Sequence, residues 1–140
     1  IVVIDTHPDK SFCTLAALLA ASHIIIPVKP SGTEISGVGM MLSYLRDVGE
    51  VYGRSWEIAS VITMCKRSRL SDEMIAQIRA EFPAQGVELL DPVIHHHVMV
   101  DRAQSLGESL FKPGAVLRSA AREYDIFVDS VGDWIRRETR

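Results

Sequence analysis

Three short apolar runs separated by helix-like segments limit the folds that this chain can adopt. The runs are Ile1 to Ile4, the segment 23–28 (HIIIPV) and the segment 58–64 (IASVITM), and none of them alternates cleanly between apolar and polar residues. Such runs are typical of strands that are covered on both faces in a parallel sheet. We therefore predict an α/β fold with a mostly parallel sheet flanked by helices, in an incomplete three-layer arrangement.

The segments between these runs have helical spacing. The first is the Ala- and Leu-rich stretch after Thr14, and the second ends near Gly49. Apolar residues three or four positions apart mark one face of the second helix: Val38, Met41, Leu42, Leu45 and Val48. Ser71 predicts the N-cap of a third helix, with a stripe of Met74, Ile75, Ile78 and Phe82 that Pro83 ends.

The pattern of residues in the remaining third of the chain indicates one more strand and two helices. The strand lies within 89–97 and starts irregularly because of Pro92, and a short helix follows over Asp101 to Gly107. After a turn at 112–114, the tail forms a long helix. Its apolar stripe is Leu117, Ala120, Tyr124, Phe127, Val131 and Trp134.

The composition indicates one domain, spanning residues 1–140. The chain has 140 residues and a net charge of -3, without repeats or a flexible linker. That charge argues against a nucleic-acid footprint over the whole surface but allows a local basic patch. The longest apolar stretch is too short to cross a bilayer, and the two cysteines, Cys13 and Cys65, have unrelated spacing. We expect a soluble, cytoplasmic protein.

Asp5 follows the first apolar run directly. Ligands of open parallel sheets bind at the carboxyl ends of the strands, so a carboxylate at this position is placed to hold Mg²⁺ and its waters beside a phosphate. The alternative is an aspartate that caps a turn at the end of a strand. The pattern of four apolar residues and an aspartate does not distinguish the two by itself.

Several ordered motifs resemble one family. Asp5-Thr6-His7-Pro8, the helix after Thr14 and Ile26-Pro27-Val28 are similar to the Walker B region of ParA-type partition ATPases, the deviant Walker A group that includes MinD. In that family a hydrophobic strand ends in Asp-Thr-Pro-Pro and the next strand ends in Ile-Pro-Val. The segments 61–82, 92–111 and 119–131 also resemble the family, so the likeness covers almost the whole chain.

The resemblance implies a P-loop NTPase sheet and a role in plasmid or chromosome segregation. By that resemblance, the whole protein binds ATP and Mg²⁺, dimerises around ATP, binds DNA non-specifically on the bacterial nucleoid, and is stimulated by a ParB-like partner. Asp5 would be the catalytic residue that orients the Mg²⁺ shell through water. Thr6 and Pro8 would shape the nucleotide-binding loop.

Three consecutive histidines, His95, His96 and His97, occupy positions where the family has Pro, Arg and Asn beside the nucleotide base. The resemblance implies that they flank the base. Because alternate residues of a strand point the same way, we expect His95 and His97 to share one face. A zinc site is the alternative, although no Cys, His or carboxylate follows at typical ligand spacing; Asp101 is close in sequence.

The phosphate-binding loop of a P-loop NTPase does not occur in this sequence. The pattern G-x-x-x-x-G-K-[ST] finds only Gly32 and Gly37, which Val38 and Gly39 follow instead of lysine and a hydroxyl residue. In the resembling family that loop precedes the Walker B strand, and the chain does not begin with methionine. We therefore expect the carboxyl-terminal portion of a ParA-like ATPase, which by itself does not hydrolyse ATP.

The densest basic cluster is the segment 66–69 (KRSR). Lys66, Arg67 and Arg69 are candidates for salt-sensitive, sequence-independent contact with DNA phosphates, as the resemblance implies. The alternative is a solvated loop before a helix.

Two other functions stay open. One is a non-catalytic interaction or dimerisation module of the same fold. The other is a MinD-like positioning ATPase that binds membranes through Trp134, Ile135, Arg136 and Arg137, although the apolar stripe of that helix is better explained as core. A sheet without its P-loop strand would also have an unpaired edge, so we expect the chain alone to aggregate or dimerise there.

Overall fold

The structure is a computed structural model that describes residues 1–7, 9–111 and 118–137. Its elements in chain order are α1 (Phe12–Ala20), β1 (His23–Val28), α2 (Gly32–Tyr52), β2 (Glu57–Ile62), α3 (Arg69–Ala84), β3 (Glu88–Leu90), α4 (Val98–Leu106) and α5 (Arg118–Arg137). The three strands form one parallel sheet in the order β1-β2-β3. The predicted α/β class is therefore confirmed, and the arrangement is consistent with part of a Rossmann-like P-loop fold.

One face of the sheet is covered by α2 and α3. Their core includes Val28, Val38, Ile78 and Phe82, and the last two are at most 1% exposed. Ser60 of β2 also lies on this face and is fully buried. Its hydroxyl is satisfied there, because it donates a 2.7 Å hydrogen bond to the carbonyl oxygen of Ile26. The predicted stripes of both helices thus form the main core.

The other face of the sheet is covered by α5. Trp134, which is 3% exposed, packs with Ala59 and Leu90, and Phe127 and Val131 pack beside them. The apolar stripe of the tail helix is therefore core, as predicted, and Trp134 is not available as a membrane anchor. Among the residues placed by the structure, no helix has the length and apolar character needed to cross a bilayer.

The predicted first strand is wrong. Ile1 to Ile4 form no strand and are exposed, at 99%, 86%, 88% and 48%. A strand needs a neighbour to satisfy its backbone N–H and C=O groups, and no strand within the described ranges pairs with this segment. An apolar run indicates β-propensity but does not indicate whether an adjacent strand is present to pair with it.

Element boundaries also differ from the prediction. The N-cap of α3 is Ser68, whose hydroxyl accepts from the backbone N–H of Ser71, so Ser71 lies inside the first turn. Pro83 lies in the last turn and the helix continues to Ala84. The strand predicted within 89–97 is only Glu88–Leu90, and the short helix begins at Val98. The turn at 112–114 and Leu117 lie outside the described residues.

Candidate functional site

A cavity of about 640 Å³ opens where β2 and β3 end, at the carboxyl edge of the sheet. Its charged lining residues are Lys66, Arg67, Arg69, Asp72 and Arg79, and His95 and Cys65 also line it. Four cations against one carboxylate give the cavity a strongly positive character. The site is therefore suited to an anion, and Arg and Lys are common ligands of phosphate in proteins.

Short backbone contacts hold the two sides of this cavity together. The N–H of Cys65 donates to the carbonyl of Ile94 at 3.1 Å, and the N–H of His96 donates to the carbonyl of Cys65 at 2.9 Å. These bonds extend the pairing of β2 and β3 beyond the strands and hold the backbone of Cys65 in place. Lys66 is the next residue, so its backbone position is held as well. Met64 takes a left-handed conformation (φ 52°) to make this turn, at a cost of about 1 kcal/mol for a residue with a side chain.

The basic segment 66–69 runs into α3, and its charges are not equivalent. Arg69 forms an exposed ion pair with Glu73, at 3.1 Å between Nε and Oε1. Lys66 and Arg67 form no ion pair with any residue that the structure describes. No described carboxylate therefore offsets the charge of Lys66 and Arg67, whereas Glu73 offsets part of the charge of Arg69.

Glu123 of α5 is the centre of a second polar group beside the cavity. Its Oε2 accepts from the backbone N–H of His95 at 2.8 Å, and its Oε1 lies 2.9 Å from Nδ1 of His95. Nε2 of His97 lies 3.2 Å from Oε2. Burial raises the pKa of the Glu123 carboxyl, but hydrogen bonds from His95 and His97 outweigh it and lower the pKa below its usual value. Glu123 is therefore an ionised acceptor.

The three histidines do not act alike. His95 and His97 both contact Glu123, which confirms that they share one face, while Nε2 of His96 turns to Asp101 at 3.3 Å. Glu123 has no signal in the sequence, because it comes from a distant helix. Within the described part of the chain, no group of three or more His, Cys, Asp or Glu side chains is placed to hold a metal ion.

Cys65 also lines this cavity and is 3% exposed. Burial raises the pKa of its thiol, and the nearby Asp72 carboxylate adds to this effect. The thiol is therefore neutral at physiological pH and adds no charge to the cavity.

The residues predicted for the Mg²⁺ site do not contact the basic cavity or the Glu123 group in the part of the chain that the structure describes. Asp5 and Thr6 lie in the exposed opening segment, and Asp5 makes no hydrogen bond or ion pair with a described residue. Pro8 lies outside the described residues. Close by, Asp9 accepts from the Thr14 hydroxyl at 3.0 Å and from the Ser11 N–H at 3.2 Å. The Ser11 side chain, the Thr14 hydroxyl and the Ser11 N–H hold the pKa of Asp9 below its usual value, in that order of effect, and assign that residue to the start of α1.

Comparisons with known proteins find chromosome-partitioning ATPases. The chain is 30% identical over 112 residues to the chromosome-partitioning ATPase Soj of Thermus thermophilus, a match of 79% of this chain and 44% of that protein. It is 28% identical over 109 residues to the chromosome partitioning protein ParA of Caulobacter vibrioides (76% and 40%). An uncharacterized protein of Pseudomonas putida is 24% identical over 141 residues (99% and 51%).

These matches support the resemblance to ParA and Soj proteins at a coarse level, and with it a partition-related role. The chain spans about half the length, or less, of the curated relatives it matches. No family model matches the chain, and no solved structure matches it significantly.

Proposed function

We propose that this chain is part of a ParA- or Soj-like partition ATPase and that it contributes non-specific contacts to DNA through Lys66, Arg67 and Arg69. The observation that carries the DNA contact is the basic cavity at the carboxyl edge of the parallel sheet. Ligands of open α/β sheets bind at that edge, and phosphates bound by cations need no particular base sequence. The similarity to partitioning proteins supports the same class of partner.

ATP and Mg²⁺ belong to this proposal as ligands of the whole protein. A single exposed carboxylate fits a role in the outer, water-mediated shell of Mg²⁺, so we assign that role to Asp5. Bound Mg²⁺ would neutralise the phosphate charge during phosphoryl transfer. Thr6 and Pro8 would shape the adjoining loop. A homodimer and a ParB-like stimulating partner complete the proposal for the whole protein.

The segment 95–97 would lie beside the nucleotide base. Its imidazoles can stack on a purine or accept and donate hydrogen bonds. Glu123 fixes the rings of His95 and His97. The other ring nitrogen of His97 is then left for the base, while His95 also lines the basic cavity. His96 is held by Asp101.

A second candidate is a non-catalytic interaction module of the same fold. The observation that favours it is the position of Asp5, which lies in an exposed segment outside the sheet. In this case the basic cavity would bind DNA without any dependence on nucleotide.

The experiment measures binding of the 140-residue chain to a labelled DNA duplex by fluorescence anisotropy. We expect Lys66→Ala/Arg67→Ala to weaken binding about tenfold or more for every sequence tested and to reduce the slope of log K against log salt by about 2. The matched control is Arg46→Ala/Arg102→Ala, which removes the same charge from two other exposed positions. An equal loss in both pairs would show that net charge, and not the cavity, sets the affinity.

A further inference from the structure

His95 connects the basic cavity to α5. The residue lines the cavity together with Lys66 and Arg67, and its Nδ1 and backbone N–H both contact Glu123. Its other ring nitrogen, Nε2, forms no hydrogen bond with a described residue. Because Nδ1 is occupied, Nε2 is the nitrogen that a ligand in the cavity would meet.

The hydrogen bond to Glu123 decides which nitrogen of the neutral ring carries the hydrogen. An ionised carboxylate can only accept, so Nδ1 of His95 must carry a hydrogen. In a neutral ring, Nε2 then has a lone pair and repels an anion. If Nε2 takes up a proton it becomes a donor, and the imidazolium lies between Glu123 on one side and the ligand on the other.

Charges of both signs face His95. The cations are Lys66 and Arg67 in the loop before α3 and Arg69 and Arg79 in α3, and the carboxylates are Asp72 and Glu123. His97 shares Glu123, and the Cys65 thiol is uncharged. An anion beside Nε2 attracts a proton to that nitrogen, and a proton there attracts the anion, so anion binding and protonation of His95 must favour each other by thermodynamic linkage.

We propose that the cavity is a proton-linked phosphate site, in which a phosphate oxyanion binds together with one proton that solvent delivers to Nε2 of His95. Lys66 and Arg67 supply the fixed charge, Nε2–H donates to a phosphate oxygen, and Glu123 is the positioning residue that holds the imidazolium. The inference rests on the proposed function in taking the DNA backbone as the source of the phosphate. A free phosphate ester would use the same chemistry.

The test follows two ligands at about pH 6 and about pH 8 with the 140-residue chain at constant ionic strength. One ligand is a DNA duplex, and the other is inorganic sulfate, a free oxyanion whose charge does not change over this range. We expect wild-type affinity to be about tenfold higher at the lower pH, since one linked proton can change affinity by up to tenfold per pH unit. His95→Asn should remove this pH dependence while the cations keep residual binding.

Two controls separate His95 from the rest of the chain. His7→Asn, which replaces an exposed histidine of the opening segment outside the cavity lining, should keep the wild-type pH dependence. The ring resonances of His95 in NMR should also change when the ligand binds. Glu123→Gln, which removes the negative charge beside Nδ1, should reduce the pH dependence of binding, a change that loss of packing alone would not cause.

The outcomes distinguish this inference from the proposed function. DNA binding with the same pH dependence in wild type and His95→Asn overturns the proton linkage and leaves the DNA contact in place. Proton-linked sulfate binding without DNA binding supports the site, assigns it to a free phosphate ester and overturns the DNA contact. Binding of neither ligand overturns both.

Discussion

Glu123 and His95 join two parts of the chain that are 28 residues apart in sequence. The carboxylate of Glu123 accepts two hydrogen bonds from His95, one from the backbone N–H at 2.8 Å and one from the ring Nδ1 at 2.9 Å. One side chain of α5 therefore fixes the segment after β3 in backbone and ring alike. This contact positions His95 at the basic cavity and also holds α5 to the sheet.

Replacement of Glu123 should destabilise the fold. Glu123→Ala leaves the N–H of His95 and the rings of His95 and His97 without their acceptor, and we expect a loss of about 2–3 kcal/mol in the free energy of unfolding. Urea denaturation measures it. Glu73→Ala is the control, because its ion pair with Arg69 is exposed and should contribute less than about 0.5 kcal/mol. Equal losses in the two variants would contradict the role of Glu123.

The same carboxylate predicts a pH dependence of stability in acid. Burial raises its pKa, but the stronger effect of the hydrogen bonds from His95 and His97 brings the folded-state pKa below the usual 4.5. A depressed pKa means that the stabilisation is complete above pH 4.5 and is lost as the pH falls through the folded-state pKa. The difference in unfolding free energy between wild type and Glu123→Gln should therefore shrink as the pH falls below that value. A constant difference down to strong acid would contradict this.

The sequence predicts those parts of the fold that local patterns determine. The segment 23–28 is a strand with the predicted bounds, and the stripes of α2, α3 and α5 are buried as their periodicity indicates. Ile1 to Ile4 show where local patterns fail. The same apolar residues occur in segments that pair in a sheet and in segments that have no neighbour, and here the segment is exposed. Ser68 and Ser71 show another, because two serines near a helix start are equally good caps until the backbone is placed.

The site is predicted only in part, for a related reason. Alternation places His95 and His97 on one face, and the charge of the segment 66–69 is visible in the sequence. That His95 and Lys66 line one cavity depends on the pairing of β2 and β3, which no local pattern records. Glu123 depends in addition on how α5 crosses the sheet. Tertiary contacts of this kind require the structure.

Two glycines of α2 should respond to alanine in opposite ways. A Cβ added at Gly49 would lie 2.6 Å from the backbone oxygen of Arg54, which is a clash that side-chain rotation cannot relieve. A Cβ at Gly39 would meet no atom within 4 Å. We expect Gly39→Ala to stabilise the protein by about 0.5–1 kcal/mol through helix propensity, and Gly49→Ala to destabilise it. Thermal denaturation of the two variants measures this, and a stabilised Gly49→Ala would show that the end of α2 adjusts freely.

β1 is an edge strand of the sheet, and we expect copies of the chain to associate through its unpaired side. The carbonyls of Ser22, Ile26 and Val28 accept hydrogen bonds from the β2 side, so the N–H and C=O of Ile25 face the open edge. Pro27, which has no N–H, occupies the next outward position. Ile1 to Ile4 supply an exposed, β-branched segment that can pair with such an edge in another copy. We therefore expect the 140-residue chain to form dimers or larger species.

Charged residues in the opening segment should prevent this association. Val2 and Val3 are 86% and 88% exposed, so Val2→Lys/Val3→Lys should leave the fold intact and shift the chain toward monomer in sedimentation velocity. Phe12→Lys/Val51→Lys is the matched control, because it adds the same charge at helix positions that are 83% and 76% exposed. Only the first pair can interrupt strand pairing. If both pairs reduce association equally, general surface hydrophobicity causes it; a wild-type chain that is monomeric throughout would contradict the edge as an interface.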